Sequence, residues 1–367
     1  MFKFSGLVFP VPCSRILSEF RFSVSRFSPV IVALALVAVG VRAADAVILY
    51  ENGPAGSYDP NANTTAPTGA LAGSGWQDEG QFGGELGTAI APNYFITAAH
   101  IGGTVGDTFT FDGTSYTTTA SYLDPGTDLR IWQVAGTLPT YAPLYNSAPG
   151  SEVNLSLVVF GNGNQRGSAY TLPNSQVGGW LWGTSGGTQR WGTSAVGAVV
   201  TAPGLGSLLQ APFLASGGFN EAQLSAGDSG GGVFIYNPNA SQWQLAGINY
   251  GVDGYFSTSP TGSNPFIAAL FDTTGLYEQD NNGNWVAAAN PSAFYATEIA
   301  ANTAFIDSVI AVPEPATWAG GILALVWIAG LAARRYGRHL RVGGYWLIGA
   351  AVTTRRVRSA YAPVWRR

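Results

Sequence analysis

The sequence predicts an all-β fold, either a β-sandwich or a pair of β-barrels, with a helix at its C-terminal end. Between residues 44 and 312 the chain consists of short runs rich in β-branched and aromatic residues, and turn residues bound nearly all of them. One helical pattern follows at 292–310. Beyond it, an 18-residue apolar stretch at 316–333 predicts a single transmembrane helix, because its length is near the lower limit for crossing a bilayer.

The predicted strands come in chain order. The runs are GTAIAPNYFITAAH, TFTFDGTSYTTTASYL, LRIWQV, VNLSLVVFG, GGVFIY and WQLAGINYG. Residues 44–80 are expected to form an irregular or loosely paired lead-in, and NNGN within 255–290 predicts a hairpin turn. The helical pattern places its apolar residues on one face: Tyr295, Ile299, Phe305, Ile306 and Val309.

Charge is distributed unevenly along the chain. Residues 44–312 hold three basic residues (Arg130, Arg166 and Arg190) against nineteen acidic ones, hence a net charge of −16. A body of this charge repels phosphate backbones, so we expect no nucleic-acid partner. The other fourteen basic residues flank the two ends, which is typical of targeting segments.

Residues 1–43 have the layout of a signal peptide. Basic residues precede the apolar run VIVALALVAVGV, and the small-residue sites VRA and ADA follow it. About a dozen apolar residues are too few to span a bilayer, which needs ~20. We therefore expect export, with cleavage after Ala43 or Ala46. The only cysteine, Cys13, lies in the removed segment, so the exported domain 44–312 has no disulfide.

The stretch AGDSGGG at 226–232 contains a candidate nucleophile, Ser229. A serine hydroxyl is a poor nucleophile at neutral pH, and acyl transfer therefore needs an adjacent base such as imidazole. The chain has two histidines, and His339 lies beyond the apolar stretch. His100, at the end of YFITAAH, is the candidate base of the exported domain.

TAAH ending at His100, followed by GDSGG around Ser229, resembles the trypsin-like (chymotrypsin-fold) serine peptidases from about Gly87 to Ile310. The resemblance implies two six-stranded antiparallel β-barrels with a C-terminal helix. It also implies a serine endopeptidase that cleaves a polypeptide substrate through an acyl-enzyme, without metal or cofactor. A catalytically inactive surface binding or matrix protein with this fold is the alternative.

The resemblance assigns further roles near the nucleophile. Asp128, in TDLRIWQV, would orient the imidazole, and Asp124 is the alternative acid. The N–H groups of Gly227 and Ser229 would form an oxyanion hole. No activation site is visible, although Asp228 matches the residue that pairs with a freed N-terminus in zymogen-activated members; the signal-cleaved end is one possible partner.

Four residues are expected to bind substrate. The resemblance places Asn249, Tyr250 and Gly251 along the cleft, where an extended peptide would pair with the backbone. Gln223 lies six residues before Ser229, at the position of the specificity pocket. Because Gln223 is uncharged, we expect a preference for uncharged side chains.

Residues 313–335 resemble the PEP-CTERM sorting signal of Gram-negative bacteria. Pro-Glu-Pro at 313–315 precedes the apolar stretch, and Arg334 and Arg335 follow it, which predicts a cytoplasmic C-terminal side. The resemblance implies cleavage by an exosortase-type enzyme, a transient inner-membrane stage and a final location at the cell surface or in the extracellular matrix. A permanent single-pass anchor is the alternative. The basic tail 336–367 has no assigned role.

Overall fold

The computed structural model describes residues 46–51, 62–280 and 283–310. They belong to one compact unit. The predicted signal peptide and the predicted sorting signal with its transmembrane helix lie outside these residues, as does the basic tail. Within the described ranges, no helix has the length and apolar character needed to span a bilayer.

The described residues are mostly β-structure, with a short C-terminal helix, α1 (Thr303–Ile310). In chain order the strands are β1 (Ile48–Leu49), β2 (Glu79–Phe82), β3 (Glu85–Ala91), β4 (Tyr94–Ala98), β5 (Thr108–Phe111), β6 (Thr114–Leu123), β7 (Leu129–Val134), β8 (Ser156–Gly161), β9 (Asn164–Thr171), β10 (Val177–Ser185), β11 (Arg190–Ala195), β12 (Ala198–Ala202), β13 (Gly206–Pro212), β14 (Ala222–Gln223), β15 (Gly232–Asn237), β16 (Gln242–Val252), β17 (Phe256–Ser257), β18 (Ala268–Leu270), β19 (Tyr277–Gln279), β20 (Trp285–Ala287) and β21 (Ala293–Glu298). Each run quoted above as strand-forming overlaps at least one of these strands.

Strands β2 to β7 form a closed antiparallel barrel in the order β2-β3-β4-β7-β6-β5. Its interior is filled largely by aromatic side chains that alternate with outward-facing residues along each strand. Phe95 and Phe109 stack with ring centroids 3.9 Å apart, and Trp132 lies against Phe82 at 4.8 Å. One closed six-stranded barrel is therefore present, as predicted.

A seven-stranded antiparallel sheet, in the order β11-β8-β15-β16-β21-β13-β12, stands where the second barrel was expected. Its two end strands, β11 and β12, follow one another in the chain with only residues 196 and 197 between them. The amide of Thr193 donates to the carbonyl of Asn220 at 2.7 Å, and the amide of Trp191 donates to Asn63 at 3.2 Å. Segment 190–202 reaches both ends of the sheet, because it pairs with β8 through β11 and with β13 through β12, and β11 and β12 lie one after the other and not side by side.

Smaller sheets complete the fold: β18-β10-β9, β17-β19-β20 and β1-β14. The predicted hairpin is present, since β19 pairs with β20 and the amide of Asp280 donates to Asn284 at 2.8 Å. The start of the lead-in differs from the expectation. Residues 46–49 are fully buried and β1 pairs with β14, so this segment is part of the core.

The helix predicted at 292–310 begins only at Thr303. The first part of that segment is instead strand β21, which lies between β16 and β13 with all six of its residues buried. A strand buried on both faces gives a run of apolar residues that also fits helical spacing, which explains the error. Tyr295 therefore lies on a strand, and its hydroxyl donates to Asp253 at 2.8 Å.

The barrel and the seven-stranded sheet pack together through one apolar cluster. The barrel contributes Leu86, Ile96 and Leu129, and the sheet contributes Val158, Phe234 and Ile248. Close packing of these fully buried side chains holds the two β-units in a fixed relationship. Any site built from both units is accordingly held by core packing.

Candidate active site

The three predicted catalytic residues come from both β-units and meet at their junction. His100 lies just beyond the end of β4, and Asp128 lies just before the start of β7. These strands are antiparallel neighbours with Ala98 paired to Leu129, so His100 and Asp128 lie at the same edge of the barrel. Ser229 lies in the loop between β14 and β15 of the other unit.

Hydrogen bonds join the three side chains into a continuous chain. Nδ1 of His100 lies 2.5 Å from Oδ2 of Asp128, and Nε2 of His100 lies 2.8 Å from Oγ of Ser229. The backbone amide of His100 also donates to Oδ1 of Asp128 at 2.9 Å. When Nδ1–H donates to the carboxylate, neutral Nε2 is left to accept the hydroxyl proton. Asp124 instead accepts a bond from the amide of Gly126 in its own turn.

The surroundings of His100 favour its charged form. Burial alone would lower its pKa, but the hydrogen bond and charge of Asp128, together with the charge of Glu85, raise the pKa above the usual 6.5. The imidazolium that forms during proton transfer is therefore stabilised. The edge of the His100 ring faces Tyr250, with ring centroids 5.8 Å apart and planes at 89°.

Two amide donors stand free at the nucleophile loop. Gly227 has φ = 92°, a backbone conformation that strains any residue with a Cβ. Within the described part of the chain, the amides of Gly227 and Ser229 donate to no protein acceptor. They remain available for an oxygen that gains negative charge beside Ser229.

Asp228 ties the nucleophile loop to its surroundings. Its buried carboxylate accepts bonds from the amide of Gly163 at 2.8 Å, from the amide of Ser225 at 2.7 Å and from the Ser225 hydroxyl at 2.9 Å. Burial raises the pKa of Asp228 to about 6, and these bonds and one from the amide of Val47 oppose the rise. Val47 directly follows Ala46, one of the two predicted cleavage sites.

The structure places Asn249 beneath the loop. Its side chain is fully buried, and its Nδ2 donates to the carbonyls of Phe160 at 2.7 Å and Asp228 at 2.9 Å. The neighbouring Tyr250 is buried too, and burial followed by the charge of Asp128 raises the pKa of its phenol, which stays neutral.

A small cavity of about 40 Å³ opens beside Ser229. Its wall is mostly apolar and consists of Trp182, Leu224, Ser225, Ala226, Asp228, Ser229, Asn249, Tyr250, Gly251 and Val252. Three of the four residues expected to bind substrate thus border it. Gln223 does not: its Nε2 donates to Ser292 at 3.0 Å and its Oε1 accepts from the amide of Leu224 at 2.9 Å. The adjacent Leu224 borders the cavity instead.

Sequence reasoning missed two kinds of residue at this site. Trp182 comes from β10, far along the chain from the predicted site residues, and no local signal marks it as a cavity wall. Glu85 carries a weak signal, a single acidic residue at the start of the apolar strand β3. Burial raises its pKa to about 7; His100 opposes this rise, and the charges of Asp228 and Asp128 add to it.

Together these groups can carry out acyl transfer. The site holds a nucleophile, a base, an acid that orients the base and two amide donors, all supplied by the protein itself. Among the described residues, no group of three or more His, Cys, Asp or Glu side chains is placed to hold a metal ion.

Comparison with known proteins gives little further information. No protein-family model matches the sequence, and no curated protein matches it. Among solved structures, the chain is similar to the passenger domain of Plasmid encoded toxin, an autotransporter enterotoxin from enteroaggregative Escherichia coli. The identity is 16%, the TM-score is 0.40, and the match covers 67% of this chain and 24% of that one. This chain therefore spans about a quarter of that structure, and a likeness at this level assigns it no activity.

Proposed function

We propose that this protein is an exported serine endopeptidase of the trypsin-like type. The observation that carries the proposal is the hydrogen-bonded chain from Asp128 through His100 to Ser229. The two unpaired amides of Gly227 and Ser229 support it, as does the placement of the three side chains at the junction of two β-units. In this proposal, the closed barrel and the seven-stranded sheet correspond to the two barrels of that type.

The geometry supports acyl transfer in two halves. Oγ of Ser229 attacks the scissile carbonyl while Nε2 of His100 takes its proton, and the oxyanion accepts bonds from the free amides. As the C–N bond breaks, His100 returns the proton to the leaving amine and an ester to Ser229 remains. Water, deprotonated by His100, then attacks the ester; the bond from the carbonyl carbon to Oγ breaks, His100 returns the proton to Oγ, and the acid is released. Asp128 holds the imidazole tautomer and stabilises the imidazolium throughout.

The cavity beside Ser229 suits a small uncharged side chain on the residue before the scissile bond. A volume of about 40 Å³ is well below the roughly 150 Å³ of a cavity that holds a benzene ring, which favours a small side chain over an aromatic one. Trp182, Leu224 and Val252 contribute apolar walls. The carboxylate of Asp228 is already engaged by its own donors, so the wall offers no free charge to a basic side chain.

Export and sorting form the second part of the proposal. The signal peptide 1–43 would direct the chain out of the cytoplasm. The segment 313–335 would hold it in the inner membrane until an exosortase-type enzyme cleaves near the Pro-Glu-Pro. The mature enzyme would then reach the cell surface or extracellular matrix. Its strongly acidic body fits polypeptide substrates and disfavours nucleic acid.

Hydrolysis of denatured casein tests the proposed activity. The purified protein should cleave casein, and Ser229→Ala should lower the rate by several orders of magnitude with an unchanged circular dichroism spectrum. Ser121→Ala is a matched control, because Ser121 is exposed on β6, away from the site, and should keep full activity. A folded protein without activity would favour the inactive binding protein instead, whereas a Ser229→Ala variant with full activity would show that Ser229 is not the nucleophile.

A further inference from the structure

Glu85 brings a carboxyl group close to the triad, and no basic side chain among the described residues donates a hydrogen bond to its Oε2. Its side chain is half-buried, and its Oε2 is buried with no hydrogen-bond partner among the described residues. The mechanism above does not use it. A buried carboxyl oxygen that lacks a partner is costly, so such a group calls for an explanation.

The backbone places Glu85 between the base and the nucleophile loop. Strands β3 and β4 pair Thr88 with Ile96, and the same register continued puts Glu85 opposite Ala99, next to His100. On the other side, the carbonyl of the adjacent Leu86 lies against Gly230, so close that a Cβ on Gly230 would overlap it. Gly230 is the residue after Ser229, so the start of β3 lies beside the reacting groups.

Glu85 lies on the side of the leaving group. The cavity that suits the residue before the scissile bond is bordered by residues from β10 onward, and Glu85 is not among them. The leaving amine must point toward Nε2 of His100, which returns its proton. His100 and Glu85 both belong to the barrel. The residues that follow the scissile bond therefore run past the barrel surface where Glu85 lies.

We propose that Glu85 is a specificity-determining residue that selects a basic side chain at the first or second position after the scissile bond. This inference rests on the proposed function. A lysine or arginine there can donate a charge-assisted hydrogen bond to the Glu85 carboxylate. The net charge of −16 on the exported body also attracts basic polypeptides.

The preference should depend on pH. The charged groups that face Glu85 are His100, Asp128 and Asp228, and the pKa of Glu85 is raised to about 7, mainly by burial. Glu85 is mostly protonated at pH 6 and mostly charged at pH 8, whereas a substrate lysine stays charged at both. The preference for lysine should therefore increase between these values.

A pair of internally quenched peptides tests the inference. Both carry valine before the scissile bond and differ only after it, where one has lysine and the other the uncharged norleucine. We expect wild-type kcat/KM at pH 8 to favour lysine by about tenfold, and the ratio to fall toward one at pH 6. Glu85→Gln should give a ratio near one at pH 8. Asp112→Asn removes an exposed charge at the β5–β6 turn and should keep the wild-type ratio.

Failure of this inference and failure of the proposed function give different results. If wild type cleaves both peptides in a Ser229-dependent manner with a ratio near one at pH 8, Glu85 does not set specificity. The same conclusion follows if Glu85→Gln keeps the lysine preference. If Glu85→Gln does not fold, the pH dependence of the wild-type ratio decides, and a ratio that is constant from pH 6 to 8 overturns the inference. If neither peptide is cleaved by folded protein, the proposed function fails and the inference with it.

Discussion

The side-chain amide of Asn249 donates a 2.9 Å hydrogen bond to the backbone carbonyl of Asp228. That carbonyl belongs to the same peptide group as the amide of Ser229, so the bond fixes the direction in which the Ser229 N–H points. A second bond, to the carbonyl of Phe160 at 2.7 Å, anchors Asn249 to β8. Asn249 therefore positions one of the two proposed oxyanion donors.

Replacing Asn249 by alanine should impair both catalysis and stability. Two buried carbonyls lose their donor, which costs about 1–3 kcal/mol of unfolding free energy. We expect kcat to fall at least tenfold with a smaller change in KM, because the donor acts mainly on the transition state. Steady-state kinetics and urea unfolding measure both effects. Asn239→Ala, at an exposed turn, is the matched control and should change neither. A kcat equal to wild type for Asn249→Ala would show that the bond does not position the donor.

The acid limb of the pH–rate profile should report His100. Only neutral imidazole accepts the serine proton, and its pKa is raised above 6.5 because Asp128 and Glu85 outweigh the effect of burial. The value of kcat/KM should therefore fall below an apparent pKa higher than 6.5. Removing the charge with Glu85→Gln should move this limb to lower pH, whereas Asp112→Asn should leave it in place. A wild-type profile that is flat from pH 5 to 8 would exclude His100 as the base.

Buried carboxyl groups should make the protein less stable as the pH rises. Burial raises the pKa of Glu79 from 4.5 to about 8, against bonds from Thr88 and Gly232. Between these values the folded state holds a proton that the unfolded state has lost, so the unfolding free energy falls as pH rises through this window. Glu79→Gln mimics the protonated form and should be more stable than wild type at pH 8.5, with little difference at pH 4.5. Thermal unfolding at both pH values measures this. If Glu79→Gln differs from wild type in stability by the same amount at pH 8.5 and pH 4.5, Glu79 does not have the raised pKa assigned to it.

Short-range patterns predicted much of this fold and the core of the site. Short runs rich in β-branched and aromatic residues, bounded by turn residues, identified the barrel strands. The order of TAAH, TDLRIWQV and GDSGG pointed to three residues that the structure brings together. Features that depend on pairing between distant segments were harder to predict from the sequence. Segment 190–202 pairs with β8 at one end of the second sheet and with β13 at the other, and no local pattern reveals these partners.

The direction in which individual side chains point was also not predictable from the sequence. Gln223 has the predicted sequence spacing from Ser229, yet its amide lies against Ser292 because β14 is paired with β1 in the core. In β21, burial on both faces removed the alternation that distinguishes a strand from a helix.

Processing at the C-terminus is a prediction from the sequence alone. If 313–335 is a sorting signal, protein recovered outside the cell should end near Val312 and give no peptides from Trp318 onward. Mass spectrometry of the culture medium and the membrane fraction measures this. Recovery of the intact chain to Arg367 in the membrane alone would indicate a permanent anchor and contradict the sorting proposal.

Covalent labelling with a fluorophosphonate tests the central claim most directly. Oγ of an activated serine displaces fluoride from phosphorus, and the hydroxyl proton passes to the neighbouring histidine. We predict a single phosphonyl adduct on the peptide that contains Ser229, located by tandem mass spectrometry, with labelling strongly reduced in His100→Ala and absent at this position in Ser229→Ala. A folded wild-type protein that forms no adduct at Ser229, under conditions in which a known serine hydrolase is fully labelled, would contradict the proposal that Ser229 is the nucleophile of a serine endopeptidase.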